Sequence, residues 1–162
     1  MRETLLSFLD DCLVRQKETA VVRRRGLRLT KWSSAEIARR AFQFARELEA
    51  RGISRGDRVL FWGENSAEWI AAFFGCLLRG VVVVPLDLKS APDFVARVQQ
   101  QVSAKLLLAD EVETRIEIPT VSFTELSENY SDEPYPSDGT KYRDAGDNSW
   151  KLLRDATSVP GI

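Results

Sequence analysis

Four carboxylates fall at the ends of β-prone segments. Asp57 precedes Arg58–Trp62 and Glu64 follows it, Asp87 follows the valine run that begins at Val81, and Asp110 follows Leu106–Ala109. α/β proteins bind ligands at strand ends, so an acid–base pair or a cation-binding carboxylate would sit at such positions. Caps and turns use the same residue types in the same places, and no partner motif stands beside any of the four, so they are expected to be caps and turn residues. Arg23-Arg24-Arg25 could hold a phosphate, but three arginines without aromatic neighbours fit a solvated turn better. Ser137-Asp-Gly-Thr-Lys141 has some residue types of a phosphate loop. One glycine and a nearby lysine are too few to cradle a triphosphate, and a plain loop is expected. The sequence contains no histidine, which excludes Ser-His-Asp and Cys-His units, histidine metal sites and an imidazole pH switch. Cys12 and Cys76 stand far apart in apolar stretches. They form neither a redox pair nor a zinc site and are expected as reduced, buried thiols. No catalytic, cofactor-binding or metal-binding residue is assigned.

The elements that must position these groups come from 162 residues, 44% of them apolar, with 23 basic and 24 acidic side chains. This is globular composition of about one domain. The near-neutral balance gives no charge footprint for nucleic acid or an anionic membrane. Acids interrupt the N-terminus where a signal peptide needs an apolar run, and Arg79, Gly80 and Pro85 break the most apolar stretch, Trp69 to Leu86. No membrane span and a cytoplasmic location are expected.

Leu5, Leu6, Leu9, Leu13 and Val14 share one face of a predicted helix over 4–16. Two β-prone runs, Thr19–Val22 and Leu27–Thr30, predict a hairpin turning through Arg23-Arg24-Arg25-Gly26. Ser33 and Glu36 form a capping-box pattern ahead of a helix carrying Ile37, Ala41, Phe44, Ala45 and Leu48, and Gly52 ends it. The segment Asp57–Trp62 reads as a strand. Asn65 and Glu68 read as the cap of a buried helix over Trp69–Leu78. Val81–Val84 predicts a parallel strand covered on both faces and stopped by Pro85. Ser90–Asp93 opens a helix with Phe94, Val95, Val98 and Val102 on its apolar stripe, Leu106–Ala109 is a buried strand, and Thr120–Phe123 is a last β-prone piece before Glu125. The fold class is therefore α/β: an N-terminal helix and β-hairpin, then a mostly parallel α-β-α-β-α-β sheet.

Composition changes near Glu128. Residues 1–127 carry 19 basic and 17 acidic side chains, whereas 128–162 carry 4 and 7, with no Phe and no apolar run longer than Leu152-Leu153. The expected division is a partial domain over 1–127 and a disordered tail over 128–162, in which Ser149–Arg154 forms at most a transient turn.

Several segments, in order, resemble the N-terminal region of the AMP-forming acyl-CoA synthetases, of the adenylate-forming ligase superfamily. Leu27-Arg-Leu-Thr-Lys-Trp-Ser-Ser-Ala-Glu36 is similar to that family's "x-x-L-T-Y-x-E-L", with Trp32 where Tyr is common. Leu48–Val59 resembles "L-x-x-x-G-V-x-x-G-D-R-V", and Asn65-Ser-Ala-Glu-Trp69 resembles "N-S-x-E-W/F". Leu78–Asp87 looks like "G-x-V-x-V-P-L-D/N", and Val102–Asp110 looks like "S-x-A-K-x-L-x-x-D". Order and spacing make the set specific over roughly residues 2–127.

The resemblance implies, for full-length members, attack of a carboxylate on the α-phosphate of Mg-ATP, loss of pyrophosphate, and transfer of the acyl group from the adenylate to a thiol, usually coenzyme A. ATP, Mg²⁺ and coenzyme A are thus implied for the family, in fatty acid metabolism, and no cofactor is assigned to this chain. The family's phosphate loop "T-S-G-T-T-G-x-P-K-G", its "Y-G-x-T-E" and its ribose-binding Asp do not occur in the sequence, nor does the C-terminal domain with its catalytic lysine. The tail lacks the resemblance, so the reading frame is expected to have changed near residue 128, leaving a truncated product inactive alone. Exposed sheet edges would then favour self-association or a complementing chain. A non-catalytic α/β docking module on the ligase scaffold is the alternative, and a Rossmann-type domain ranks last because no GxGxxG follows a strand.

Overall fold

The computed structural model describes residues 5–15, 17–110 and 116–128. The expected tail structure, the 137–141 loop and the 149–154 turn lie outside them. Helix α1 (Leu6–Val14) leads into an antiparallel hairpin, β1 (Thr19–Arg25) and β2 (Arg28–Ser33), followed by helix α2 (Ser34–Ala50). Then come β3 (Arg58–Trp62), α3 (Ala67–Arg79), β4 (Val82–Leu86), α4 (Pro92–Val102), β5 (Leu106–Ala109), β6 (Thr120–Ser122) and the single turn α5 (Glu125–Glu128). The second sheet is wholly parallel, in the order β4-β3-β5-β6.

Alternation along the strands divides the core. Val59, Phe61, Leu106, Leu108 and Val121 face α2 and α3, where they meet Phe44, Leu48, Ala72 and Cys76. Leu60, Trp62, Leu107 and Ala109 point to the opposite face, against Val95 and, less deeply buried, Val98 and Val102 of α4. Helix α1 adds an outer layer, setting Leu6 and Leu9 against Ala38, Ala41 and Phe42 of α2 and Leu78 of α3. Each large apolar side chain taken wholly from water in this way contributes about 1.5–3 kcal/mol. Helices α2 and α3 approach closely because residue 75 is glycine: a Cβ there would lie 2.9 Å from the Ala41 carbonyl oxygen and 2.9 Å from the Phe44 ring.

Three local expectations are corrected. The arginine triplet belongs to strand β1, and the turn is the two-residue Gly26-Leu27 between the paired Arg25 and Arg28. With Gly26 at φ +59° in first position, the chain reverses without splaying the strands, so pairing extends to the arginines. The cap of α3 is Ser66, whose hydroxyl accepts the Trp69 N–H at 3.1 Å, one residue beyond Asn65. Pro85 lies inside β4 rather than ending it, and β4 is the edge strand of the described sheet: Val82 is 48% exposed, while Val83 packs on the α2–α3 side and Val84 and Leu86 on the α4 side. The Val82 N–H bonds to the Asp57 carbonyl on the β3 side, so two-residue alternation turns the Pro85 nitrogen outward, where no donor is required.

Candidate functional site

In this sheet the place for a ligand is the crevice at the carboxyl ends of β3 and β5. The connection from β3 runs through α3 on one face to β4, and the return to β5 runs through α4 on the other, so the direction of winding reverses between β3 and β5. Crevices of this kind receive ligands in open α/β sheets. Glu64 follows β3 and Asp110 follows β5, and the structure brings these two together. The Asp110 carboxylate accepts the Glu64 backbone N–H at 3.1 Å.

Among the described residues, the loops after β3 and β5 press against each other here. A Cβ on Gly63 would stand 2.8 Å from the Asp110 carboxylate oxygen and 2.9 Å from the Phe123 ring, so glycine is what lets the two loops close on each other. Beneath them Phe61 meets Trp69 and Phe123 edge to face, with ring centroids 5.3 Å and 5.5 Å apart. Above, Arg23 reaches across from the hairpin to pair with the Glu64 carboxylate at 2.5 Å. The buried indole Nε1 of Trp62, at the end of β3, has no acceptor among the described residues.

The other two carboxylates stand apart from this pair. Asp87, just past β4, folds its own loop by accepting the Lys89 N–H at 2.7 Å. Asp57 lies at the opposite pole, before β3, where it accepts the Ser54 N–H at 2.8 Å and the Lys105 ammonium at 2.9 Å. The Ser54 N–H and then Lys105 hold the Asp57 carboxyl below its ordinary range. Burial alone would raise Glu36, but bonds from Ser33 and the charges of Arg39 and Arg40 outweigh it and leave Glu36 lowered. Burial raises the Cys76 thiol strongly, and burial followed by the charge of Asp11 raises Cys12, so neither is an activated nucleophile.

Among the described residues no group of three or more His, Cys, Asp or Glu side chains could hold a metal ion. The crevice carries the carboxylates of Glu64 and Asp110, and its guanidinium is already paired. That donor set does not fit a triphosphate, which needs convergent N–H groups and cations. The geometry makes the pole a structural clasp. Nothing in the sequence around Glu64 signals the clasp, because its partner lies 46 positions away.

Residues 9–157 match the family described as AMP-binding enzyme. The chain belongs to that family. The AMP-binding fold is equally plain in solved structures. The N-terminal subdomain of Klebsiella oxytoca NpsA, in complex with 3-hydroxybenzoyl-AMSN, superposes with a TM-score of 0.68 at 19% identity, over 83% of this chain and 33% of that one. The AMP complex of Bacillus subtilis O-succinylbenzoate coenzyme A synthetase gives 0.65 at 21% identity, over 79% and 34%. In sequence, the 3-hydroxybenzoate–CoA/4-hydroxybenzoate–CoA ligase of Thauera aromatica is 43% identical over 63 residues, 39% of this chain and 12% of the ligase. The chain thus spans a minor part of its relatives' length and corresponds to the N-terminal region of adenylate-forming ligases. No described helix is long and apolar enough to cross a membrane.

Proposed function

We propose that this chain is the N-terminal portion of an ATP-dependent, AMP-forming carboxylate–CoA ligase, acting on a fatty or other organic acid in the cytoplasm with Mg²⁺ and coenzyme A, and that this portion alone does not catalyse the reaction. The family match over 9–157 carries the first half. The crevice supports the second: where an α/β sheet would hold a ligand, Gly63, Glu64, Asp110 and Phe123 pack on one another and leave carboxylates rather than cations. The shift in composition at 127/128 is what suggests a boundary there, while the family match itself runs on to residue 157. Purified 162-residue chain is expected to give no ATP–pyrophosphate exchange with any carboxylic acid offered, and exchange above a protein-free blank would overturn the inactive half. Translating the surrounding DNA in three frames tests the parentage. A "T-S-G-T-T-G-x-P-K-G" loop downstream supports a ligase interrupted near residue 128, and its absence argues against one.

The exposed β4 edge favours a second reading, a docking module that pairs with a complementing chain or a second copy. One stoichiometric protein partner, lost when β4 is altered, would favour it over the inactive ligase portion.

A further inference from the structure

A chain-wide net charge of −1 conceals an uneven surface. The β1–β2 hairpin has two unlike faces. Cross-strand pairing puts Val22 opposite Lys31 and Arg24 opposite Leu29 on one face, and Val21 opposite Trp32 and Arg23 opposite Thr30 on the other. The second face turns to the body of the protein: Val21, Arg23 and Trp32 are half-buried, and Arg23 pairs with Glu64. The first face is open. Val22 and Leu29 are each 54% exposed, Arg24 and Lys31 stand beside them, and at the turn Leu27 is 100% exposed next to exposed Arg28. Arg24 donates from Nε to the Gly26 carbonyl at 3.0 Å, which holds its guanidinium against the tip. An apolar tip thus ends a face that carries Arg24 and Lys31, whereas Arg28, paired with Arg25, belongs to the other face.

We propose that this hairpin face docks on an anionic lipid surface, with Leu27 entering the headgroup boundary while Arg24 and Lys31 lie over lipid phosphates and carboxylates. Charge complementarity fixes the sign of the partner. The convex shape favours a bilayer over an acidic protein, because a leucine that projects wholly into water needs either a soft interface to enter or a pocket shaped to receive it. A nucleic acid would leave Leu27, Leu29 and Val22 unmatched, and the hairpin's aromatic, Trp32, faces the other way. Each basic side chain near an anionic leaflet strengthens binding about fivefold at physiological salt, and entry of one leucine adds roughly tenfold. The inference stands on the hairpin alone and does not depend on the ligase reading.

The test uses the full 162-residue chain and phosphatidylcholine vesicles with or without phosphatidylserine. Co-sedimentation is expected with the phosphatidylserine vesicles only, and it should weaken as salt shortens the reach of the charges. Substituting Arg24 and Lys31 together by Ala should reduce partitioning roughly twenty-five-fold, whereas replacing Arg24 by Lys should preserve most of it. Leu27→Trp puts a fluorophore at the tip, and its emission should move to the blue on adding the anionic vesicles. Equal binding to neutral vesicles, no effect of the double substitution in a chain with unchanged circular dichroism, or no emission shift overturns the proposal. So does binding to polyglutamate without binding to vesicles, which would indicate an acidic protein partner.

Discussion

At the scale of single residues, the crevice is decided by atoms that sit a few tenths of an ångström from collision. Gly63→Ala would drive a methyl group into the Asp110 carboxylate and into the ring of Phe123, which is fully buried. The expected cost is about 1–3 kcal/mol, read as a lower urea midpoint at unchanged slope. Gly75→Ala meets the Ala41 carbonyl in the α2–α3 contact and should cost a similar amount, since backbone cannot rotate away. Asp110→Ala leaves the Glu64 N–H without its acceptor and should cost about 0.5–1.5 kcal/mol. Asp110→Asn keeps a carbonyl oxygen in place and should lose less. The glycines and carboxylates are visible in the sequence, but their juxtaposition is not. No local pattern says that residue 63 must make room for residues 110 and 123.

At the scale of elements, local chemistry was far more legible. The Ser33–Glu36 capping box forms in both directions: the Ser33 hydroxyl accepts the Glu36 N–H at 3.2 Å, and the Glu36 carboxylate accepts the Ser33 N–H at 2.7 Å. Ser33→Ala should cost about 1 kcal/mol of stability in urea denaturation. Glu36 and Asp57 are both held below their ordinary range. A carboxyl that binds its proton less readily when folded stabilises the fold above its unfolded pKa, about 4.3 for Glu and 3.9 for Asp. That contribution disappears as pH falls through the folded values. Urea midpoints should therefore be level at neutral pH and decline below about pH 4. Glu36→Gln together with Asp57→Asn should flatten part of that decline. Where the element boundaries slipped, at the Gly26-Leu27 turn and the Ser66 cap, the competing signals lay one to three residues apart and either satisfied the same local rule.

At the scale of the whole molecule, β4 is the open question that the sheet order poses. Its outward side presents the Val83 N–H and C=O and the Pro85 C=O, and Val82 lies half in water beside them. Under the proposed association through sheet edges, sedimentation should show a weight-average mass that rises with concentration. Val82→Lys should shift it toward the monomer, since an edge charge disfavours strand addition. A sharp, reversible melt of a monomer, independent of concentration, would count against edge pairing. The sequence by itself determined the kinds of element and nearly all their positions, because helix periodicity, caps and β-branched runs act between residues a few positions apart. It also carried the family, through segments whose order and spacing survive without any knowledge of contacts. Only the tertiary structure decided that β4 is an edge, that β3 and β5 adjoin, and that Glu64 meets Asp110 while Asp57 sits at the opposite pole. The valine run of β4 reads like a central strand, and its exposure follows from where the crossovers through α3 and α4 set it down. Strand order depends on which face each helix covers, and that is settled by contacts among residues dozens of positions apart.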